Sequence, residues 1–318
     1  MKLRCHLPAL ALAAAPARHG YSPDPLWSLQ LLRDGHIVFV AGAGSIVPMN
    51  VHSLARFLSP VLVLAGLARL SAADAPFAGG RWIDLTHEFS TNTIYWPTAQ
   101  RFTLETEFHA HTEKGYFYAA NRYAASEHGG THIDAPIHFA EQGRTLEELS
   151  IDQLTGLAVV VDVSAKAREN ADYLFTVEDL KSWETAHGRI PNAAIVLFHT
   201  GFARHWPDPK KYLGTDERGA GAVAKLHFPG LHPDAARWLV VQRALKAVGL
   251  DTASIDYGQS VLFESHRILS GKNISIFENV AMLDKLPATG AYVVALPMKI
   301  KSGSGGPLRI VAWVAEKE

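Results

Sequence analysis

One undecapeptide, His128-Gly-Gly-Thr-His-Ile-Asp-Ala-Pro-Ile-His138, limits the fold of this chain more than any other segment. It sets three imidazoles and one carboxylate within eleven residues. All four are standard ligands for Zn²⁺ or Mn²⁺. A helix is excluded, because Gly129, Gly130, Thr131, Ile133 and Pro136 all oppose one. In an extended segment His128, His132, Asp134 and His138 share one face, and Thr131, Ile133, Ile137 and Phe139 share the other.

A straight strand would hold the Cα atoms of His128 and His132 about 13 Å apart, near the limit for sharing one ion. The chain must therefore bend, and Gly129-Gly130 permits the bend. His132 and Asp134, two residues apart, can converge on the ion. His138 lies beyond Pro136 and suits proton transfer better than ligation. The segment thus supplies three strong protein ligands, His128, His132 and Asp134, with an open position, which is the catalytic rather than the structural pattern. That position would hold a water whose pKa the ion lowers. Asp134 has two oxygens and could bridge two ions.

The motif resembles the pattern His-x-Gly-Thr-His-x-Asp-x-Pro-x-His of the cyclase-family metal hydrolases, which include bacterial kynurenine formamidases and isatin hydrolases. Further resemblances run from Trp82 to the C-terminus: Trp82-Ile-Asp-Leu-Thr, Tyr95-Trp-Pro97, Phe228-Pro-Gly-Leu231, Phe277-Glu-Asn-Val280 and Ala295-Leu-Pro-Met298. The resemblance implies an α/β, swivelling β/β/α fold with a mixed, barrel-like sheet and flanking helices. It implies His266 and Glu278 as ligands of a second ion, and Trp96 as a wall of the substrate site that stacks on an aromatic ring. His138 would move a proton from water to the leaving nitrogen. The cofactor is then one or two divalent ions, Zn²⁺ or Mn²⁺. The activity is cleavage of an aryl amide C–N bond, of the N-formylkynurenine type. Opening of a cyclic amide, as in isatin, is the enzymatic alternative. A periplasmic metal-binding protein without turnover is the alternative from another class, and His138 argues against it.

With 48% hydrophobic and 19% charged residues, the composition is that of a soluble globular protein. A net charge of -1 gives no electrostatic case for nucleic acid or an acidic membrane. Cys5 is the single cysteine, so the chain can form neither an internal disulfide nor a thiolate metal site. The expected partner is a small aryl amide, within a homo-oligomer (a dimer or tetramer).

The N-terminal region differs from the rest. Residues 49–75 read as a signal peptide: a short n-region to Arg56, an apolar run from Phe57 to Leu67, and Ala73-Asp-Ala75 as the cleavage site. The run is too short to span a membrane. Translation is expected to start at Met49, with residues 1–48 an upstream extension. The mature protein would be periplasmic or secreted if this signal is used, and cytoplasmic otherwise. Residues 76–318 are expected to form one hydrolase domain.

Within it, Trp82–Leu85, Gly156–Val163 and Ala193–Phe198 read as strands, the last two buried on both faces. Thr176 caps a helix that runs to Trp183. Pro233 to Leu250 reads as the strongest helix, with a stripe of Ala236, Leu239, Val240, Ala244 and Ala247 and a stop at Gly249. Strands are expected at Ala253–Asp256, Ile274–Phe277, Tyr292–Leu296 and Leu308–Val314. Residues 204–230 read as a long excursion, one that short kynurenine formamidases lack in large part. Gly303-Ser-Gly-Gly-Pro307 is a weak anion-loop signal and stays outside the site.

Overall fold

The structure, a computed structural model, describes residues 27–31, 37–41 and 77–316. Two units are distinguished, Met1–Leu70 and Ser71–Glu318. In the first, β1 (Trp27–Leu31) pairs antiparallel with β2 (Ile37–Ala41). The expected signal at 49–75, and most of the expected extension, lie outside the described residues.

The second unit is built on a closed, mixed sheet. Its strands are β3 (Gly80–Asp84), β6 (His132–Asp134), β7 (Thr155–Asp162), β9 (Ile195–His199), β11 (Ala247–Leu250), β12 (Ser275–Glu278), β13 (Thr289–Pro297) and β14 (Gly305–Ala315), while β8 (Leu174–Phe175) and β10 (Gly230–Leu231) pair in parallel as a separate two-stranded sheet. The order β13-β7-β9-β11-β12-β6-β14 returns to β13 through a β13–β14 pairing, so seven strands form a barrel, and β3 adds to β14 outside the ring. Strands β7, β9, β11 and β12 run parallel, and the other pairings are antiparallel. The expected α/β architecture with a barrel-like sheet is therefore present.

Alternation along the parallel strands explains their continuous apolar sequences. Ala158, Val160, Ile195, Leu197 and Phe277 feed the inner core with Ile133, Leu146 and Ile310. Val159, Val161, Val196, Phe198, Val248 and Ile276 point outward, under helices. These are α1 (Val177–His187), α2 (Pro233–Gln242) and α3 (Glu264–Ser270), which bury Leu180, Trp183, Leu239 and Leu269 on that layer. Thr176 forms the expected N-cap of α1, in a reciprocal box with Asp179.

Four expectations need correction. The helix from Pro233 ends at Gln242, and Ala247–Leu250 is a fully buried parallel strand. A short apolar run has no period that separates strand from buried helix. Gly249 is a strand residue whose absent Cβ leaves room for Leu197 and Phe277, each 3.0 Å from where it would lie. Ala253–Asp256 is not a strand but a loop, which holds its place through the Leu231 N–H donating to Ile255 O at 2.7 Å. The segment 204–230 is packed rather than an excursion: Tyr212, Leu213, Leu226 and Phe228 are buried with Ile94 and Phe202 against Trp96 and Trp206. Finally, Gly305–Pro307 are not loop residues but the start of β14, paired with β6.

A two-stranded ribbon, β4 (Thr103–His111) with β5 (Phe117–Ala124), has nearly every residue exposed. His109 and His111 lie on it, outside any site.

Candidate metal centre

Register places the first three donors. His132 lies opposite Glu278, and Asp134 opposite Ile276, in the β6–β12 pair. Ile133 and Phe277 between them point into the inner core. His132, Asp134 and Glu278 therefore share the outer face of the sheet. Helix α3 covers that face and brings in His266. His128 precedes the strand, and the chain turns at Gly130, whose φ is +59°. Gly129 has no side chain because the Tyr95 ring occupies that space. The bend expected at Gly129-Gly130 is present; the regular extended face from 128 to 138 is not, since only His132–Asp134 is strand.

All five residues expected as ligands come together, in two groups that share Asp134: His128, His132 and Asp134, and Asp134, His266 and Glu278. Within each group the donor atoms lie within 4.8 Å of one another. His128 Nδ1 is 2.7 Å from Asp134 Oδ1, and His266 Nε2 is 3.2 Å from both Asp134 Oδ2 and Glu278 Oε1. His132 donates its Nδ1–H to Gly130 O at 2.9 Å. Its Nε2 is buried 3.2 Å from Asp134 Oδ1 and 3.5 Å from Glu278 Oε2, yet makes no hydrogen bond. A buried imidazole lone pair aimed between two carboxylates fits a divalent cation, and so does the all-N/O donor set. Asp256 supports His266 by accepting its Nδ1–H at 2.7 Å, the carboxylate–histidine arrangement that orients metal-binding imidazoles.

The electrostatics agree. Burial works against charge on His266, but Asp134, Asp256 and Glu278 outweigh it and hold the imidazole well above its usual range. Burial likewise opposes charge on Asp134, and the surrounding histidines hold it well below the carboxylate range. Burial and the Asp134 charge push Glu278 up. Negative charge is concentrated in a dry place where only cationic partners stabilise it.

His138 does not point away down an extended chain. A single 3₁₀ turn, Pro136–His138, folds it back, so its ring stacks on His128 with centroids 3.7 Å apart. It belongs to neither donor group. Burial, reinforced by the neighbouring histidines, brings its pKa down to about 4. It is therefore a neutral imidazole at pH 7.

These groups open on a cavity of about 380 Å³ lined by Trp96, Phe139, Phe263, His138 and four of the five donors, His128, His132, His266 and Glu278. Phe139 lies 4.4 Å from His266 and 5.4 Å from Phe263, centroid to centroid. Trp96 is held by Phe228 from the packed 204–230 segment. A larger cavity of about 860 Å³, against His87, Arg168 and His199, contains none of the donors, so the chemistry belongs to the smaller one.

The cyclase family model matches residues 83–257. The chain belongs to the cyclase family. This cyclase-family chain is 32% identical over 230 residues to an isatin hydrolase of Roseibium aggregatum, covering 69% of this chain and 84% of that one. It is 28% identical over 237 residues to a kynurenine formamidase of Bacillus cereus, covering 72% and 96%. Among solved structures, isatin hydrolase A from Labrenzia aggregata, bound to benzyl benzoate, superposes with a TM-score of 0.68 at 33% identity, covering 83% of this chain and 100% of that one. Isatin hydrolase A from Ralstonia solanacearum superposes at 0.67, with 32% identity over 86% and 100%.

Sequence reasoning missed four residues of this cyclase-family site: Glu127, Asp256, Asn279 and Ser304. Asn279 carried a signal, since it follows Glu278 directly; its Nδ2–H donates to Gly130 O at 2.7 Å and braces the bend. Glu127 likewise stands directly before His128, and Ser304 lies in the Gly303–Pro307 segment, a weak anion-loop signal, whereas Asp256 reaches the site from a separate loop with no local pattern to mark it.

Proposed function

We propose that this chain is a metal-dependent hydrolase that cleaves the C–N bond of an aryl amide. The observation that carries this reading is the doubled donor set sharing Asp134, with neutral His138 beside it, at the floor of an aromatic cavity. His128, His132 and Asp134 would hold one divalent ion, Zn²⁺ or Mn²⁺, and Asp134, His266 and Glu278 a second. Such ions supply Lewis-acid polarisation of a carbonyl and acidify a water. Trp96, Phe139 and Phe263 clamp the aromatic ring and exclude bulk water. His138 accepts a proton from the attacking water at the cavity wall and returns it to the nitrogen of the breaking C–N bond, which becomes a neutral amine.

Of the two substrate types, opening of a cyclic amide such as isatin is favoured. The similarity to an isatin hydrolase is the greater of the two. The packed 204–230 segment also stiffens Trp96 from behind, which suits a rigid fused ring. The test is turnover by purified protein loaded with Mn²⁺ or Zn²⁺, following loss of isatin absorbance and, separately, N-formylkynurenine hydrolysis. Isatin opening is expected. Hydrolysis of N-formylkynurenine alone would reverse the preference, and tight metal binding without turnover of either would favour a non-catalytic metal-binding protein.

We also propose a homo-oligomer joined through the β4–β5 ribbon. An isolated two-stranded ribbon is marginal in water and needs a cover. Leu104, Phe108, Tyr116, Phe117, Tyr118 and Tyr123 on it are 38% to 57% exposed. Phe108 and Tyr118 pack on one face and Phe117 turns to the other, so the ribbon is apolar on both faces. Glu105, Glu107 and Glu113 balance Arg101, Lys114 and Arg122 along the same ribbon, so two copies meet without net repulsion.

A further inference from the structure

We propose that Glu127 and Ser304 act as a positioning relay that holds His128 in its Nε2–H tautomer, so that Nδ1 is the nitrogen it offers to the metal centre. This rests on the metal-centre reading above and names residues that reading does not use.

The relay follows from counting donors. Glu127 Oε2 lies 3.1 Å from Ser304 N and 2.7 Å from Ser304 Oγ. A carboxylate only accepts, so the single hydroxyl proton of Ser304 goes to Glu127. The Ser304 oxygen is left as an acceptor, 2.8 Å from His128 Nε2. Nε2 must then carry the ring proton. The other nitrogen, Nδ1, faces Asp134 Oδ1.

His128 is thereby turned round relative to its neighbours. His132 and His266 donate Nδ1–H to Gly130 O and to Asp256, and both aim Nε2 at the centre. They stand on a strand and a helix that bring the ring in end-on. His128 stands before the bend and reaches the centre with its near nitrogen. Its ring is also walled in. A Cβ on Gly305 would lie 2.6 Å from His128 Cε1, so glycine is required there for the ring to seat against β14. His138 stacks on a face of the ring, with centroids 3.7 Å apart. The glycine-rich Gly303–Pro307 segment, which carries no anion in this scheme, thus has a definite use: Gly305 seats the imidazole and Ser304 tethers it.

Two measurements test the relay. The first is a two-bond ¹H–¹⁵N correlation spectrum of Zn²⁺-loaded protein labelled at histidine, with His128→Gln to assign the ring. His128 is expected to keep its proton on Nε2, and His132 and His266 on Nδ1. A proton on His128 Nδ1 overturns the proposal. The second is Zn²⁺ affinity by competition with a chromogenic chelator. Ser304→Ala and Glu127→Ala should weaken binding roughly 10- to 100-fold, while Ser304→Thr, which keeps the hydroxyl, should stay within a few-fold of wild type. Unchanged affinity in Ser304→Ala overturns the relay while leaving the metal centre intact. A wild-type protein that takes up no Zn²⁺ overturns the metal-centre reading itself, and the relay with it.

Discussion

Replacing His138 by Asn separates proton transfer from metal binding. The ring stacks on His128 but supplies no atom to either donor group. Its loss should therefore leave metal content near wild type. Catalysis should suffer much more. With a pKa of about 4, His138 is uncharged at pH 7 in all but about one molecule in a thousand. Nearly the whole population is free to accept a proton, but so low a pKa makes a weak base, so the loss should fall toward the lower end of the benefit of general acid–base catalysis. That benefit is about 10²–10⁴ in kcat, or roughly 3–5 kcal/mol of barrier. The assay is kcat on the aryl amide beside metal quantification by mass spectrometry, with His132→Ala as the metal-loss control. If His138→Asn strips metal as completely as His132→Ala, the residue is a ligand. If it changes neither metal content nor kcat, another group moves the proton. Either result refutes the assignment.

Three further outcomes are expected. Asp134→Ala should remove all bound metal, because both donor groups share that residue, whereas His266→Ala should leave one ion; anomalous scattering from wild-type crystals should show two ions about 3.5–4 Å apart, and a single site beside an outward-turned His266 would reject the second ion. His87 stacks on Trp206, and burial lowers its pKa to about 4; its contribution is present above pH 6.5, where it is neutral folded and unfolded alike, and is lost as pH falls toward 4. Up to about 2 kcal/mol should disappear between pH 7 and 5, so His87→Phe should flatten that part of the urea-denaturation profile, and an unchanged profile would show that His87 is not the source. Phe117→Ser combined with Tyr118→Ser should lower the mass by light scattering to that of a monomer, and an unaltered oligomer would move the interface away from the ribbon.

Local sequence was enough where one segment carried the whole instruction. The His128–His138 motif excluded a helix and required a bend at its glycines. Thr176 marked a helix start as an N-cap residue, and the structure adds the reciprocal bond from Asp179. The apolar runs at 156–163 and 193–198 announced strands buried on both faces because their β-branched residues were continuous. These features depend on backbone preference and on neighbours within a few residues, so they survive in the linear string. His266, Glu278 and Trp96 were legible only through family resemblance, since nothing near them in sequence specifies a role.

Tertiary structure decided whatever depended on partners from distant parts of the chain. Ala247–Leu250 carries an apolar stripe that a helix could equally use. It became a strand because β9 and β12 offer it backbone hydrogen bonds on both sides. The 204–230 segment read as a long excursion, yet Tyr212 is buried, with its hydroxyl donor shared between Asp251 O at 3.1 Å and Asn279 Oδ1 at 2.9 Å. The doubling of the metal centre around Asp134 needed the β6–β12 register and the helix laid over it. Glu127 and Ser304 are 177 residues apart and meet only because β14 returns alongside β6. Residue type and spacing set which donors were available. Closure of the barrel set which of them could share one ion, because ligation depends on distances of a few ångströms that no sequence separation encodes.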